Sequence, residues 1–69
     1  MITITSYEEV LPRPGDAEGT VYIVEAGGEV GSIEAGGRVE RVETGGRVER
    51  IEDGGLVCSI NAGGRVYFD

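Results

Sequence analysis

Five Gly-Gly pairs, at 27–28, 36–37, 45–46, 54–55 and 63–64, recur every nine residues without a slip. A fixed short period marks a repeat architecture, in which each unit buries its apolar side only by stacking on its neighbours. Counted from the first glycine, the fourth place reads Val30, Val39, Val48, Val57 and Val66, and the seventh reads Ile33, Val42, Ile51, Ile60 and then Asp69. The phase extends back through Gly19, Val21 and Val24, so residues 18–69 follow one rule and 1–17 fall outside it. A helix broken every nine residues by two glycines would lose about 1 kcal/mol at each of them. The β-branched and charged residues between the pairs, as in Arg-Val-Glu-Arg-Val-Glu at 38–43, suit strands instead. The chain therefore reads as all-β, each nonad a short strand with a corner at Gly27, Gly28, Gly36, Gly37, Gly45, Gly46, Gly54, Gly55, Gly63 and Gly64. Glycine serves such corners because it takes positive φ and lets backbones approach closely.

The two apolar places of a nonad are three residues apart, and in a straight strand such residues point to opposite faces. Val39 and Val42 share a core only if the chain bends between them, as in a β-helix with short sides; otherwise each face of a thin sheet buries one. The expected core is Val21, Val24, Val30, Ile33, Val39, Val42, Val48, Ile51, Val57, Ile60 and Val66. With 69 residues, four aromatics and one cysteine, the chain has no disulfide to reinforce that core and is expected to self-associate. The favoured architecture is a β-solenoid wound as an intertwined parallel homotrimer, in which three chains share every rung and leave no long sheet edge. A solitary two-sided roll with two nonads per coil and an antiparallel meander with Gly-Gly hairpins are the alternatives.

Thirteen acidic residues against six arginines give a net charge of -7, which repels a phosphate backbone or an anionic membrane. Neither nucleic acid nor membrane is an expected partner. No apolar run approaches the ~18 residues of a membrane span, and Met1–Thr5 lacks the pattern of a signal peptide, so a soluble, unprocessed chain is expected. Without histidine the usual general base is missing, and the carboxylate neighbours Glu8/Glu9 and Glu52/Asp53 point apart on a strand. No enzymatic activity, cofactor or small-molecule substrate is expected. The nonapeptide period raises the calcium-binding repeat Gly-Gly-x-Gly-x-Asp-x-apolar-x. Here valine replaces its third glycine and Arg41 and Arg50 replace its aspartate, so no metal site is expected. No Gly-Lys-Ser/Thr follows any glycine pair, which removes a phosphate loop. Arg38, Glu40, Arg41, Glu43 and Arg47, Glu49, Arg50, Glu52 are expected to pair laterally between stacked rungs or neighbouring chains and hold register. Cys58 is expected in a more buried stretch, and Tyr67-Phe68 is expected to plug the last rung.

Two resemblances follow from these residues. The nonads Gly-Gly-x-Val-x-x-(Val/Ile)-x-x resemble the repeating β-helical stems of trimeric bacteriophage appendages, over about two-thirds of the chain. Leu11-Pro12-Arg13-Pro14-Gly15-Asp16-Ala17-Glu18-Gly19-Thr20-Val21-Tyr22-Ile23-Val24 is similar to a Leu-Pro-x-x-Gly-x-x-Gly-x-x-Tyr-x-Val segment of phage tail and fibre proteins. The resemblance implies a virion protein. Five rungs at the ~4.8 Å strand spacing make a stub of about 25 Å, short for a fibre and suited to a trimeric decoration protein on the outer surface of a phage head. Its partners would be its own copies and the major capsid protein, and it would be made in the host cytoplasm. Residues 1–17 would be an extended docking arm, in which Ile2, Thr3, Ile4, Thr5 and Tyr7 add a strand to a partner's sheet and Pro12 and Pro14 form a stiff elbow. The plainer reading is that Ile2 and Ile4 cover the end of the core. Other readings are a tail-spike, tail-fibre or baseplate tip component, and an intracellular β-solenoid adaptor or polymerising scaffold.

Overall fold

Each Gly-Gly pair closes a reverse turn, and its two glycines do different work. At Glu34–Gly37 of the computed structural model, which describes residues 1–67, the Gly37 amide donates to the Glu34 carbonyl at 2.9 Å. Gly36 has φ of +86°, and among the described residues no non-glycine residue has positive φ, which together define a type II turn. The same bond recurs at Gly28, Gly46, Gly55 and Gly64. Gly37 is needed for a separate reason: a Cβ there would stand 2.8 Å from the Leu11 carbonyl oxygen, one coil earlier in the stack.

Between the turns the described residues form eight strands: β1 (Ile2–Ile4), β2 (Tyr7–Leu11), β3 (Val21–Val24), β4 (Glu29–Ile33), β5 (Arg38–Val42), β6 (Arg47–Val48), β7 (Leu56–Val57) and β8 (Arg65–Val66). They form two parallel sheets, ordered β1-β3-β5-β7 and β2-β4-β6-β8. Odd and even strands alternate along the chain, so each coil contributes one strand to each sheet. The fold is a parallel β-solenoid of about four coils, and the Gly-Gly turns join the two sides of a coil instead of closing hairpins. Corners eighteen residues apart stack directly, with Gly36 donating to the Gly54 carbonyl at 3.3 Å and Gly45 to that of Gly63 at 3.2 Å. One chain supplies both sides of each coil, as in the two-sided roll, so a coil's core closes without a second chain.

The side of a coil bends where the spacing of three requires it. In the β3–β5 pair Tyr22 opposes Val39 and Ile23 opposes Arg41, which leaves Glu40 as an extra residue. This bulge turns both Val39 and Val42 inward, and both are fully buried. On the other side β6 stops at Val48, and Ile51 rejoins the sheet as an isolated bridge to Ile33. Val30, Val48 and Val66 stack in one column, and Val39 and Val57 in another.

Residues 2–11 lie in the stack as its first coil: Ile2 opposes Tyr22, Ile4 opposes Val24 and Leu11 opposes Ile33. Ile4 and Leu11 are buried there. Val21, expected in the core, opposes Arg38 and is only half-buried, while Tyr22 takes the inward place and is fully enclosed. The bulge shifts the pattern by one residue at this point. Val24, Val30, Ile33, Val39, Val42 and Val48 form the buried core as expected, with Ile51, Val57 and Val66 packed partly against it. Ile60 is 48% exposed.

Because the two glycines of a pair answer different constraints, their alanine variants separate. Gly36→Ala meets no atom within 4 Å and carries only the positive-φ strain, about 1–2 kcal/mol. Gly37→Ala adds a collision with the Leu11 carbonyl and lowers the urea midpoint further; equal midpoints would contradict this division.

Candidate functional site

The loop between β2 and β3 is built from two consecutive turns. Asp16 donates its amide to the Arg13 carbonyl and Thr20 to that of Ala17, each at 3.1 Å, with Gly15 at φ +92° and Gly19 at +84°. Pro14 occupies the second place of the first turn, which its fixed φ favours. The segment expected as an extended elbow is thus folded back on itself, with a cis Leu11–Pro12 bond. Tyr22 reaches it from the core: its hydroxyl donates to the Asp16 carboxylate at 2.5 Å and accepts from the Arg13 amide at 3.1 Å. The Arg13 guanidinium bonds Asp16 at 3.0 Å and Glu8 at 3.4 Å. The Tyr22 hydrogen bond, then that of Arg13, holds the Asp16 carboxyl below its ordinary pKa of 3.8. Burial, then the neighbouring Asp16, raises the Tyr22 phenol. Glu8 opposes Val30 at an inward register position, so the Glu8–Arg13 pair lies at the first-coil end of the core.

A shallow notch opens on the second sheet, lined by Tyr7, Glu9, Gly31, Ser32, Glu34 and Glu49 among others. Gly31 has no side chain to fill it, and a Cβ there would stand 3.1 Å from the Tyr7 hydroxyl. Ser32, buried, donates to Glu34 at 2.8 Å. Beside the notch a hydrogen bond between the carboxyls of Glu29 and Glu49 raises the Glu29 pKa, chiefly because the shared proton favours the neutral form. Among the described residues no group of three or more Cys, Asp or Glu is placed to hold a metal ion.

The expected docking residues divide between edge and core. Ile4 is buried and Ile2 half-buried, whereas Thr3, Thr5 and Tyr7 are exposed. β1 and β2 are the outermost strands of their sheets at this end. The Ile4 carbonyl accepts from Glu25 at 3.0 Å, so by strand alternation the Thr3 amide and carbonyl face away from the sheet. Of the arginines and glutamates expected to form ladders, Arg41 pairs with Glu43 and Arg50 with Glu52 within one side of one coil, since residues two apart project to the same side. Contacts between coils instead come from Asn61 to Glu43 at 2.6 Å, Thr44 to the Ala62 carbonyl at 2.5 Å and Ser59 to the Glu40 carbonyl at 3.2 Å.

At the other end the last coil leaves its apolar residues in water. Leu56 and Ile60 are each 48% exposed and Tyr67 43%, with the Arg47 guanidinium 5.2 Å above the Tyr67 ring. Cys58, expected in a buried stretch, is exposed: it takes the outward place after Val57, as Glu49 does after Val48. Phe68, the second half of the expected plug, and Asp69 lie outside the described residues. No protein-family model, no curated protein and no solved structure matches this chain.

Tyr22→Phe removes the hydroxyl that ties the loop to the core and is expected to destabilise the fold by about 1–3 kcal/mol. Asp16's contribution is present above its unfolded pKa and is lost as pH falls through its depressed folded value, so melts of the variant should show a flatter acid limb than the parent. An unchanged limb would show that Tyr22 does not hold Asp16. Glu29 has the opposite sign: its raised pKa makes the folded state less stable as pH rises above 4.5. Glu49→Gln should therefore raise the Tm at pH 7 and leave it unchanged at pH 3.

Proposed function

We propose that this chain is a structural protein whose work is assembly, and that it decorates and stabilises a bacteriophage capsid. The observation that carries the structural part is the solenoid itself: the inward positions are spent chiefly on a stacked apolar core, and what remains for function is sheet edges and one open end. The capsid part rests on the similarity of Leu11–Val24 to a phage tail and fibre segment and of the nonads to phage appendage stems. The outward-facing backbone of Thr3 on β1 offers an edge to which a strand of the major capsid protein adds.

Heads that lack this protein, prepared from the phage that encodes it, provide the test. Wild type should sediment with them at a saturable ratio. Thr3→Pro removes only an outward amide at a sheet edge, where proline is tolerated, and should keep the far-ultraviolet circular dichroism spectrum while binding at least tenfold more weakly. Wild type left in the supernatant, or recovered with tails at a few copies per particle, would overturn the capsid reading. Undiminished binding of the folded variant would remove β1 as the docking edge.

A further inference from the structure

The two ends of the solenoid are unlike. At the first-coil end Ile4 is 2% and Leu11 0% exposed, although no earlier coil lies over them, and the Glu8–Arg13 pair stands at that end. At the other end the residues in the equivalent inward places are open: Val57 and Val66 are half-buried and Ile60 is 48% exposed. The edges differ in the same sense. Leu56 and Cys58 donate back to Gly37 and Val39, and Arg65 and Tyr67 back to Gly46 and Val48. By alternation the amides and carbonyls of Val57 and Val66 point outward, beyond the last coil. Among the described residues this leaves an apolar cross-section flanked by two unpaired sheet edges, the arrangement that capped solenoids avoid.

We infer that this end is an interface for a second copy of the chain, joined tail to tail through the Val57, Ile60 and Val66 coil. Charge selects the partner. The chain carries -7 overall, yet residues 54–67 contain no Asp or Glu and one cation, Arg65. Among the described residues of this coil, two copies that repel elsewhere therefore bring no carboxylate side chain to the contact. A two-fold axis perpendicular to the stack sets each terminal strand antiparallel to its partner, the more stable ladder per residue, and closes the assembly at two chains. Head-to-tail growth gains less: the far end has Ile4 and Leu11 already covered, and docking there would bury the Glu8 carboxylate. The contact is one coil across, in the small, weak class of interfaces, so micromolar association is expected. This inference does not rest on the capsid reading, and its test needs no phage particle.

Sedimentation equilibrium of the full chain from about 5 to 500 µM is the experiment, with hydrogen exchange recorded at both limits. A monomer–dimer equilibrium is expected, with the Val57 and Val66 amides gaining protection at high concentration and the Thr3 amide gaining none. Ile60→Glu should weaken association at least tenfold and leave the monomer's circular dichroism unchanged, while Met1→Glu, at the other end, should leave it intact. A monomer at every concentration, a three-chain mass, open-ended growth, or protection arising at Thr3 instead would each overturn the inference. The wild-type exchange pattern decides the matter even if Ile60→Glu disturbs the last coil.

Discussion

At each Gly-Gly corner of this solenoid a backbone lies against the backbone of the coil before it, at a distance that leaves no room for a β-carbon. A Cβ at Gly28, Gly37, Gly46, Gly55 or Gly64 would stand 2.3 to 2.9 Å from the carbonyl oxygen of Ile4, Leu11, Val24, Ile33 or Val42 respectively. That approach sets the pitch at which one coil follows another. It also sets the register: with the corners stacked, Val30 must meet Val48 and Val39 must meet Val57, and a one-residue slip would carry the valines to the outside. The preceding glycine of each pair, at φ between +85° and +87°, turns the chain tightly enough for the next side to begin at once. The apolar columns, the parallel sheets and the bend between the two inward residues all follow from this spacing.

Much of this was legible in the sequence because the repeat exposes it. The nonad marks the corners, and the separation of three between Val39 and Val42 demands a bend, which the structure makes at Glu40. The number of chains per coil was not legible, since a nine-residue period reads the same whether three chains share a rung or one chain supplies two nonads to it. The first coil was hidden for a different reason. Its Ile4-to-Tyr7 corner passes through Thr5 and Ser6, without a glycine pair, and its return runs through the longer 12–20 loop. Val21 was misplaced by one residue because a bulge in a partner strand leaves no mark on the strand opposite.

Surfaces were harder to read than the core. Arg41 and Glu43, two residues apart, project to the same side and pair with each other, while the contact from the next coil to Glu43 comes from Asn61 and not from an arginine. The motif shared with phage segments, Leu11 to Val24, has a structural meaning that its spacing alone did not disclose: Gly15 and Gly19 are the positive-φ places of two turns, and Tyr22 pins those turns to the core through Asp16 and Arg13. The open character of the last coil follows from geometry. Val57, Ile60 and Val66 repeat the residues of buried coils, but among the described residues nothing stacks on them.

The central claim is that one chain closes each coil with its own two nonads. Isotope-filtered NOE spectra of a mixture of labelled and unlabelled chains, unfolded and refolded together, test it most directly through the methyl contacts Val30–Val48 and Val39–Val57. These contacts should appear strongly within labelled chains and be absent between labelled and unlabelled ones. If they appear across chains, the coils are shared and the single-chain solenoid is wrong.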